Sequence, residues 1–174
     1  MSKKIFYTLI IFIATTSFLL PKKNKPVFYI IGDSTVKNGD GTGKNNQMGW
    51  GTVITPFFDT TKIDVRNHAI GGRSTRTFIT DGRWDRILET LKKDDYVIMQ
   101  FGHNDQSPLD DTARARGTIK GIGDDSTEIY NPIRKMKETV HTYGWYMRRY
   151  VRETKAKGAI PIVCSLIPRE NWKD

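Results

Sequence analysis

The chain has 174 residues, of which 37% are hydrophobic and 11% aromatic, and it carries a formal net charge of +9. These values fit one globular domain and exclude collagen-like, low-complexity and intrinsically disordered proteins. The single cysteine, Cys164, excludes an intramolecular disulfide framework and a multi-cysteine zinc site.

Residues 1–20 have the pattern of a secretory signal peptide. Two lysines precede an apolar stretch from Ile5 to Leu20, and Pro21 and three further lysines follow it. This stretch is shorter than the roughly 20 apolar residues that a transmembrane helix usually needs. Because no Ala-x-Ala cleavage site precedes Pro21, an uncleaved N-terminal anchor is the alternative. We therefore expect an exported protein, secreted or periplasmic, whose folded domain spans residues 21–174.

Short apolar runs alternate with helical patterns along the rest of the chain. The expected strands are 27–31, 62–69, 96–101 and 159–165, the expected helices are 50–58, 84–91 and 143–157, and the expected long loops are 39–43 and 105–132. The last helix has the clearest pattern, because its apolar residues recur at spacings of three and four. No internal repeat or second domain is evident. The alternation predicts a three-layer α/β/α fold with an open, mostly parallel sheet.

Polar residues and glycines follow three of the four predicted strands. The three segments are Gly32-Asp33-Ser34-Thr35, residues 67–74 (NHAIGGRS) and Gly102-His103-Asn104-Asp105. In open α/β sheets, ligands bind in the loops beyond the carboxyl ends of the strands. We therefore expect these segments to meet in one site.

The residue types in these segments suit acyl transfer. A serine in the turn after a strand can act as a nucleophile, and a glycine N–H and an asparagine amide can stabilise the oxyanion that forms. Each residue also has a structural interpretation. Ser34 suits a helix N-cap, Gly72 a tight turn with positive φ, and Asn104 a turn. Their joint occurrence at three successive strand ends favours the catalytic hypothesis.

Spacing excludes three other motifs. Residues 39–44 (GDGTGK) lack the four-residue gap of a P-loop, and Asn45 stands where that motif needs Ser or Thr. Asn46 occupies the last position of a potential Gly-x-Gly-x-x-Gly motif. Val36 replaces the final glycine of the Gly-x-Ser-x-Gly elbow of α/β-hydrolases. We therefore expect residues 39–43 to form a mobile surface loop.

The three strand-end segments resemble the sequence blocks of the GDSL/SGNH hydrolases. Residues 30–35 (IIGDST) resemble the first block, residues 101–105 (FGHND) are similar to the third, and residues 67–74 resemble the second block of the rhamnogalacturonan acetylesterase branch. Residues 49–51 (GWG) and 167–169 (IPR) are also similar to that branch. The resemblance covers residues 27–169 and implies the flavodoxin-like SGNH fold.

The resemblance also implies a role for each site residue. Ser34 is the implied nucleophile, and its N–H forms an oxyanion hole with the Gly72 N–H and the Asn104 Nδ2. Gly71 is the less favoured choice for the glycine, since Gly72 directly precedes the Arg-Ser pair. The implied reaction is removal of acetyl groups from pectic polysaccharide, with no metal and no cofactor.

The fourth block of the family, Asp-x-x-His near the C-terminus, has no match in the sequence. The three histidines are His68, His103 and His141, and only His141 has an acidic residue, Glu138, three positions before it. His141 precedes the last predicted helix and strand, so we expect it to be structural or to face the substrate. We expect a domain that lacks its C-terminal strand or helix, and slow turnover because serine needs an adjacent base.

The positive charge is consistent with an acetylated acidic polysaccharide as the partner. Five arginines flank the strand-end segments and either attract galacturonate or form a solvated surface: Arg73, Arg76, Arg83, Arg114 and Arg116. Trp50 and Trp84 either stack on sugar rings or pack in the core, which is the more common position of tryptophan.

The sequence also bears on other partners and on alternative functions. Nucleic acid is not expected, because the chain has no recognition motif for it. A stable membrane partner is expected only if the N-terminal segment is uncleaved. The alternative functions are an esterase of the same fold acting on xylan acetyl groups or lipid esters, and a non-catalytic carbohydrate-binding protein. The sequence leaves the oligomeric state open.

Overall fold

The computed structural model describes residues 25–39 and 48–168. The strands are β1 (Val27–Gly32), β2 (Asp64–Asn67), β3 (Tyr96–Gln100), β4 (Ser126–Asn131), β5 (Met136–His141) and β6 (Ile160–Val163), and the α-helices are α1 (Thr75–Thr80), α2 (Arg83–Thr90) and α3 (Tyr143–Ala156). The expected signal segment, residues 1–20, lies outside the described residues, as does the expected loop at 39–43 apart from Gly39. None of the helices in the described ranges is long and apolar enough to cross a membrane.

Four of these strands form one parallel sheet in the order β2-β1-β3-β6. The chain steps in one direction from β1 to β2, then returns past β1 to β3, so the strand order reverses between β1 and β3. This is the flavodoxin-like arrangement, in which ligands bind at the carboxyl ends of the strands next to the reversal. The predicted open parallel α/β fold is confirmed.

The central strand β1 is buried on both faces of the sheet. Tyr29 and Ile31 belong to one apolar cluster, and Phe28 and Ile30 belong to another on the opposite face. The first cluster includes residues of all three α-helices, and the second is covered by the segment that follows β1. Because both faces of β1 are covered, its sequence is a continuous apolar run. This run is the pattern from which the strand was predicted.

The expected helix at 50–58 is wrong. This segment forms two 3-10 turns, Trp50–Thr52 and Thr55–Phe57, which pack Trp50 and Phe58 on the sheet. Gly51 and Pro56 disfavour a continuous α-helix, because glycine is flexible and proline lacks an N–H donor.

The expected loop at 105–132 is wrong at its end, where β4 pairs with β5 as an antiparallel hairpin. The Asn131 Oδ1 accepts hydrogen bonds from the N–H groups of Ile133 (2.9 Å) and Arg134 (3.0 Å) and shapes the turn between them. Most side chains of β4 are exposed. The hairpin therefore lacks the apolar alternation from which strands are predicted.

The last expected strand is present as β6, at the edge of the described sheet. Pro161 lies in it opposite Val97 of β3. An edge strand tolerates proline, because only one side of the strand needs ladder donors.

Candidate active site

Ser34 lies in the turn that follows β1, with its side chain half-buried. The N–H groups of Val36 and Lys37 donate to the Asp33 carbonyl at 3.2 and 3.0 Å. The Asp33 Oδ1 accepts hydrogen bonds from the Thr35 N–H (2.9 Å) and hydroxyl (2.8 Å). Asp33 therefore caps this turn. No helix begins at Ser34 within the described residues, so its interpretation as a helix N-cap is wrong.

The segment after β2 lies directly against this turn. A Cβ atom built on Gly71 would lie 3.7 Å from the Ser34 Cβ, and the Ile70 N–H donates to the Gly32 carbonyl at 3.0 Å. Gly72 has a φ of 75°, and a Cβ there would overlap the Arg114 guanidinium. The backbone conformation therefore favours glycine at position 72, and an alanine there would also displace the exposed end of the Arg114 side chain.

Asn104 follows β3 and is 7% exposed. Its Nδ2 donates to the Arg73 carbonyl at 2.9 Å, and its Oδ1 accepts a hydrogen bond from the Arg116 Nη1 at 2.9 Å. An amide nitrogen has two hydrogens, so one N–H of Asn104 is left for a ligand. These bonds bring the third strand-end segment onto the second.

Two buried carboxyl groups, Asp33 and Asp105, belong to the same strand-end segments. Asp105 is 5% exposed, and its Oδ1 accepts hydrogen bonds from the Thr75 N–H and hydroxyl. Burial raises the pKa of Asp105 to about 6, with a further contribution from the charge of Asp33. Burial and the charges of Asp105 and Asp33 also raise the pKa of Tyr143, to about 12, which keeps its phenol neutral.

His141 is held by an aromatic cluster. Its ring stacks on Trp145 with centroids 3.8 Å apart, and burial lowers its pKa. Glu138, which imitates the acid of an Asp-x-x-His pair, bonds instead to Arg76 at 2.7 Å. Burial raises the pKa of Glu138, but the bonds from Arg76 and Asn131 outweigh it and hold the pKa below its usual value. These contacts agree with the structural alternative for His141, and the alternative that it faces the substrate stays a prediction.

The other two histidines have contacts of their own. The His68 ring lies 5.6 Å from the Tyr29 ring, and the His103 Nε2 lies 3.1 Å from the Ile167 carbonyl oxygen. In the part of the chain that the structure describes, no hydrogen bond joins His68 or His141 to Ser34. The same part contains no group of three or more His, Cys, Asp or Glu side chains arranged to hold a metal ion.

Two residues considered for substrate contact belong to the core. Arg76 is 0% exposed and pairs with Glu138, so neither of its two expected roles, attracting substrate or forming a solvated surface, is correct. Trp84 is also 0% exposed, and its Nε1 donates to the Glu153 carboxylate at 2.6 Å. The core interpretation of Trp84 is therefore correct. Trp50 is half-buried, and its contact with sugar stays a prediction.

The other four arginines differ in their partners. Arg73 and Arg83 both pair with Asp81, at 2.7 and 3.5 Å. Arg116 donates to the Asn104 side chain. Among the described residues, no hydrogen bond or ion pair satisfies the Arg114 guanidinium. The sequence placed Arg116 only among nearby charges, and no local spacing indicated its bond to Asn104.

A small cleft of about 150 Å³ adjoins Gly72 and is lined by both Arg73 and Arg114. The exposed Ile133, from the turn of the β4–β5 hairpin, also lines it. A larger cavity of about 1180 Å³ lies at the opposite end of the sheet, where Val27 and Tyr96 begin their strands. Of these two cavities, both formed by described residues, the small cleft is the one next to the strand ends.

A serine, a glycine pair and an asparagine thus meet at the carboxyl ends of β1, β2 and β3, beside the reversal of a flavodoxin-like sheet. These are the residues that the resemblance to the GDSL/SGNH hydrolases singles out, and the α/β fold around them is of the kind that the resemblance implies. The chain belongs to the GDSL-like lipase/acylhydrolase family, whose family model matches residues 28–173. The resemblance of the three sequence blocks is confirmed.

Individual members of this family are also similar to the chain. A rhamnogalacturonan acetylesterase from Emericella nidulans is 34% identical over 163 residues, which cover 92% of this chain and 61% of that protein. The probable rhamnogalacturonan acetylesterase YesY of Bacillus subtilis is 33% identical over 147 residues, covering 84% of this chain and 56% of the relative. The crystal structure of Bacillus subtilis YxiM is 30% identical with a TM-score of 0.57, covering 80% of this chain and 32% of that one. The chain therefore spans little more than half the length of the two acetylesterase relatives.

Proposed function

We propose that this protein is a serine ester hydrolase that removes acetyl groups from an acidic, pectin-type polysaccharide. The observation that carries the proposal is the convergence of Ser34, Gly72 and Asn104 at one edge of the sheet. The names of the two acetylesterase relatives support the choice of an acetyl ester on a polysaccharide.

In the proposed reaction, the Ser34 Oγ attacks the acetyl carbonyl carbon and its proton passes to a base. The tetrahedral intermediate carries a negative oxygen, which accepts hydrogen bonds from the N–H groups of Ser34 and Gly72 and from the second N–H of Asn104 Nδ2. The sugar oxygen leaves with a proton, and water then cleaves acetyl-Ser34 to acetate and free serine. Because the sequence has no Asp-x-x-His pair, none of its residues is assigned as the base.

Arg114 supports an acidic polymer as the substrate. Its exposed guanidinium lies beside Gly72 and lines the small cleft, whereas Arg73 and Arg116 are already bonded. A sugar carboxylate next to the acetylated residue would give Arg114 a charge-assisted partner. Export through the segment at 1–20 would bring the protein to such a polymer outside the cell.

The proposal is tested by measuring acetate release from acetylated rhamnogalacturonan, with and without added imidazole. Imidazole supplies a soluble proton acceptor where the sequence lacks the family's base motif. We expect imidazole to accelerate release by the wild type and by Ser126→Ala, an exposed control serine, and to leave Ser34→Ala inactive.

Two outcomes would contradict the proposal. Equal release by Ser34→Ala and the wild type would remove Ser34 from the reaction. Tight polysaccharide binding without any acetate release, with imidazole present, would favour a non-catalytic carbohydrate-binding protein.

A further inference from the structure

We propose that Arg116 is a positioning residue, which fixes and polarises the Asn104 side-chain amide for oxyanion binding. This inference rests on the proposed function, because it concerns one donor of the oxyanion hole. Arg116 acts through Asn104 and does not itself touch the acetyl group.

Two hydrogen bonds define the position of the Arg116 side chain. Its Nη1 donates to the Asn104 Oδ1 at 2.9 Å, and its Nε donates to the Ser107 Oγ at 3.0 Å. The loop before it is shaped by the Asp111 Oδ1, which accepts the N–H groups of Ala113 (2.9 Å) and Arg114 (2.8 Å). The half-exposed Arg116 side chain is therefore held by hydrogen bonds from two different nitrogens of its guanidinium group.

The orientation of the Asn104 amide follows from its two partners. Rotation by 180° about its last side-chain bond would exchange Oδ1 and Nδ2. Arg116 can only donate and the Arg73 carbonyl can only accept, so a single orientation satisfies both. In that orientation the second hydrogen of Nδ2 is available to a ligand. In the opposite orientation, the oxygen would face and repel a developing oxyanion.

The charge of Arg116 has a second effect on the same amide. A cationic donor on Oδ1 draws electron density from the amide and makes the N–H at Nδ2 a stronger donor. No ion pair neutralises Arg116 in the stretch of chain that the structure describes. Its Nη1 also lies 3.8 Å from where a Cβ of Gly72 would be. The positive charge of Arg116 therefore lies near two of the three proposed oxyanion donors, the Gly72 N–H and the Asn104 Nδ2.

A purely structural role for Arg116 would be to hold the loop between Ser107 and Gly117. Such a role predicts lower stability in any Arg116 variant, but no specific change in the Asn104 amide. The two roles are therefore separated by observing Asn104 directly and by comparing substitutions that keep or remove the charge.

The first measurement is NMR of the Asn104 side-chain amide in the ¹⁵N-labelled full chain. Wild type, Arg116→Lys, Arg116→Gln and the remote exposed control Arg152→Gln are compared. In the wild type and in Arg152→Gln, we expect two separate signals for the Asn104 Nδ2 protons, with relaxation typical of a rigid amide. In Arg116→Gln, we expect both signals to change chemical shift and to show the relaxation of a mobile amide. Unchanged Asn104 signals in Arg116→Gln would overturn the proposal, and this result does not depend on esterase activity.

The second measurement is steady-state acetate release in the presence of imidazole. We expect kcat to fall about 10- to 100-fold in Arg116→Gln with KM within about twofold of wild type, because only transition-state binding is lost. Arg116→Lys should recover most of kcat by restoring the charge. Equal kcat in the Gln and Lys variants would contradict the polarising effect. Absence of turnover in every variant would count against the proposed function, while the NMR result would still decide whether Arg116 positions Asn104.

Discussion

Arg76 and Glu138 form a bidentate ion pair inside the protein. The Arg76 Nε lies 2.7 Å from the Glu138 Oε1 and its Nη2 lies 2.9 Å from Oε2, with side-chain exposures of 0% and 7%. The Arg76 Nη1 also donates to the carbonyls of Leu109 (2.8 Å) and Gly117 (2.9 Å). One side chain of α1 therefore holds both the β4–β5 hairpin and the loop that carries Arg116.

Arg76→Met should destabilise the protein strongly. It leaves the buried Glu138 carboxylate without its bidentate partner and with only the longer pair to Arg134 (3.8 Å), so the free energy of unfolding should fall by about 3 kcal/mol, the lower end of the usual cost of breaking a buried pair. Urea unfolding followed by circular dichroism measures this loss. The control is Lys137→Met, which breaks the exposed pair with Glu128 (2.8 Å) and should unfold like the wild type. A loss no larger than that of the control would contradict the prediction.

The double variant Arg76→Met/Glu138→Met separates the charge effect from packing. It removes both charges, so much of the lost free energy of unfolding should return. No recovery would show that the hydrogen bonds from Arg76 to Leu109 and Gly117 dominate.

The protein should gain stability from Asp105 as the pH falls from about 6 to about 4. Burial raises the pKa of Asp105 to about 6, above the value of about 3.9 for an unfolded aspartate. Between these values the folded protein holds a proton that the unfolded chain has lost. The stabilising contribution is therefore complete below about pH 4 and is lost as the pH rises through about 6.

The matched variant for this prediction is Asp105→Asn, which mimics the neutral acid and does not titrate. Unfolding free energies of both proteins are measured by urea denaturation from pH 4 to pH 7. The wild type should lose about 2–3 kcal/mol relative to Asp105→Asn over this range. A constant difference across the range would show that Asp105 has an ordinary pKa. Comparing the two proteins cancels Glu138, whose lowered pKa gives the opposite trend.

Burial on two faces explains which elements the sequence predicted. β1 and β3 are apolar runs, and α3 shows helical periodicity, because tertiary packing selects those residues. α1 was not predicted, because its six residues are too few to show helical periodicity and only Phe78 and Ile79 among them are apolar. Its start is fixed by a capping box between Ser74 and Thr77, a local signal that the threonine-rich sequence obscures.

The sequence predicted those residues of the candidate site that come directly after a strand. Ser34, Gly72 and Asn104 each stand within a few residues of a strand, so the topology alone brings their segments together. The bond between Arg116 and Asn104 depends on how a long loop folds back, and no periodicity encodes that path. Arg76 was misassigned for a related reason, since its partner Glu138 lies in a hairpin without an apolar pattern.

Gly72→Ala and Gly82→Ala should lose similar stability but differ in activity. Both glycines have left-handed conformations, with φ of 75° and 68°, so alanine should cost each about 1–2 kcal/mol in free energy of unfolding. A Cβ at Gly82 meets no atom within 4 Å, whereas one at Gly72 overlaps Arg114. Only Gly72→Ala should displace the proposed oxyanion N–H, lowering kcat for acetate release by at least about 10-fold. Full kcat in Gly72→Ala would indicate that Gly71 supplies the N–H instead.

Arg114→Gln should weaken binding of acidic polysaccharide and leave neutral polysaccharide unaffected. A hydrogen bond to a charged group contributes about 1.5 kcal/mol or more, so KM for acetylated rhamnogalacturonan should rise about 10-fold, with kcat unchanged. KM for acetylated xylan should stay within about twofold of wild type, because that polymer offers Arg114 no carboxylate. Arg152→Gln makes the same charge change far from the cleft and should raise neither KM. Equal effects of Arg114→Gln on both polymers would contradict carboxylate recognition, and a lower wild-type KM on xylan would favour the xylan esterase alternative.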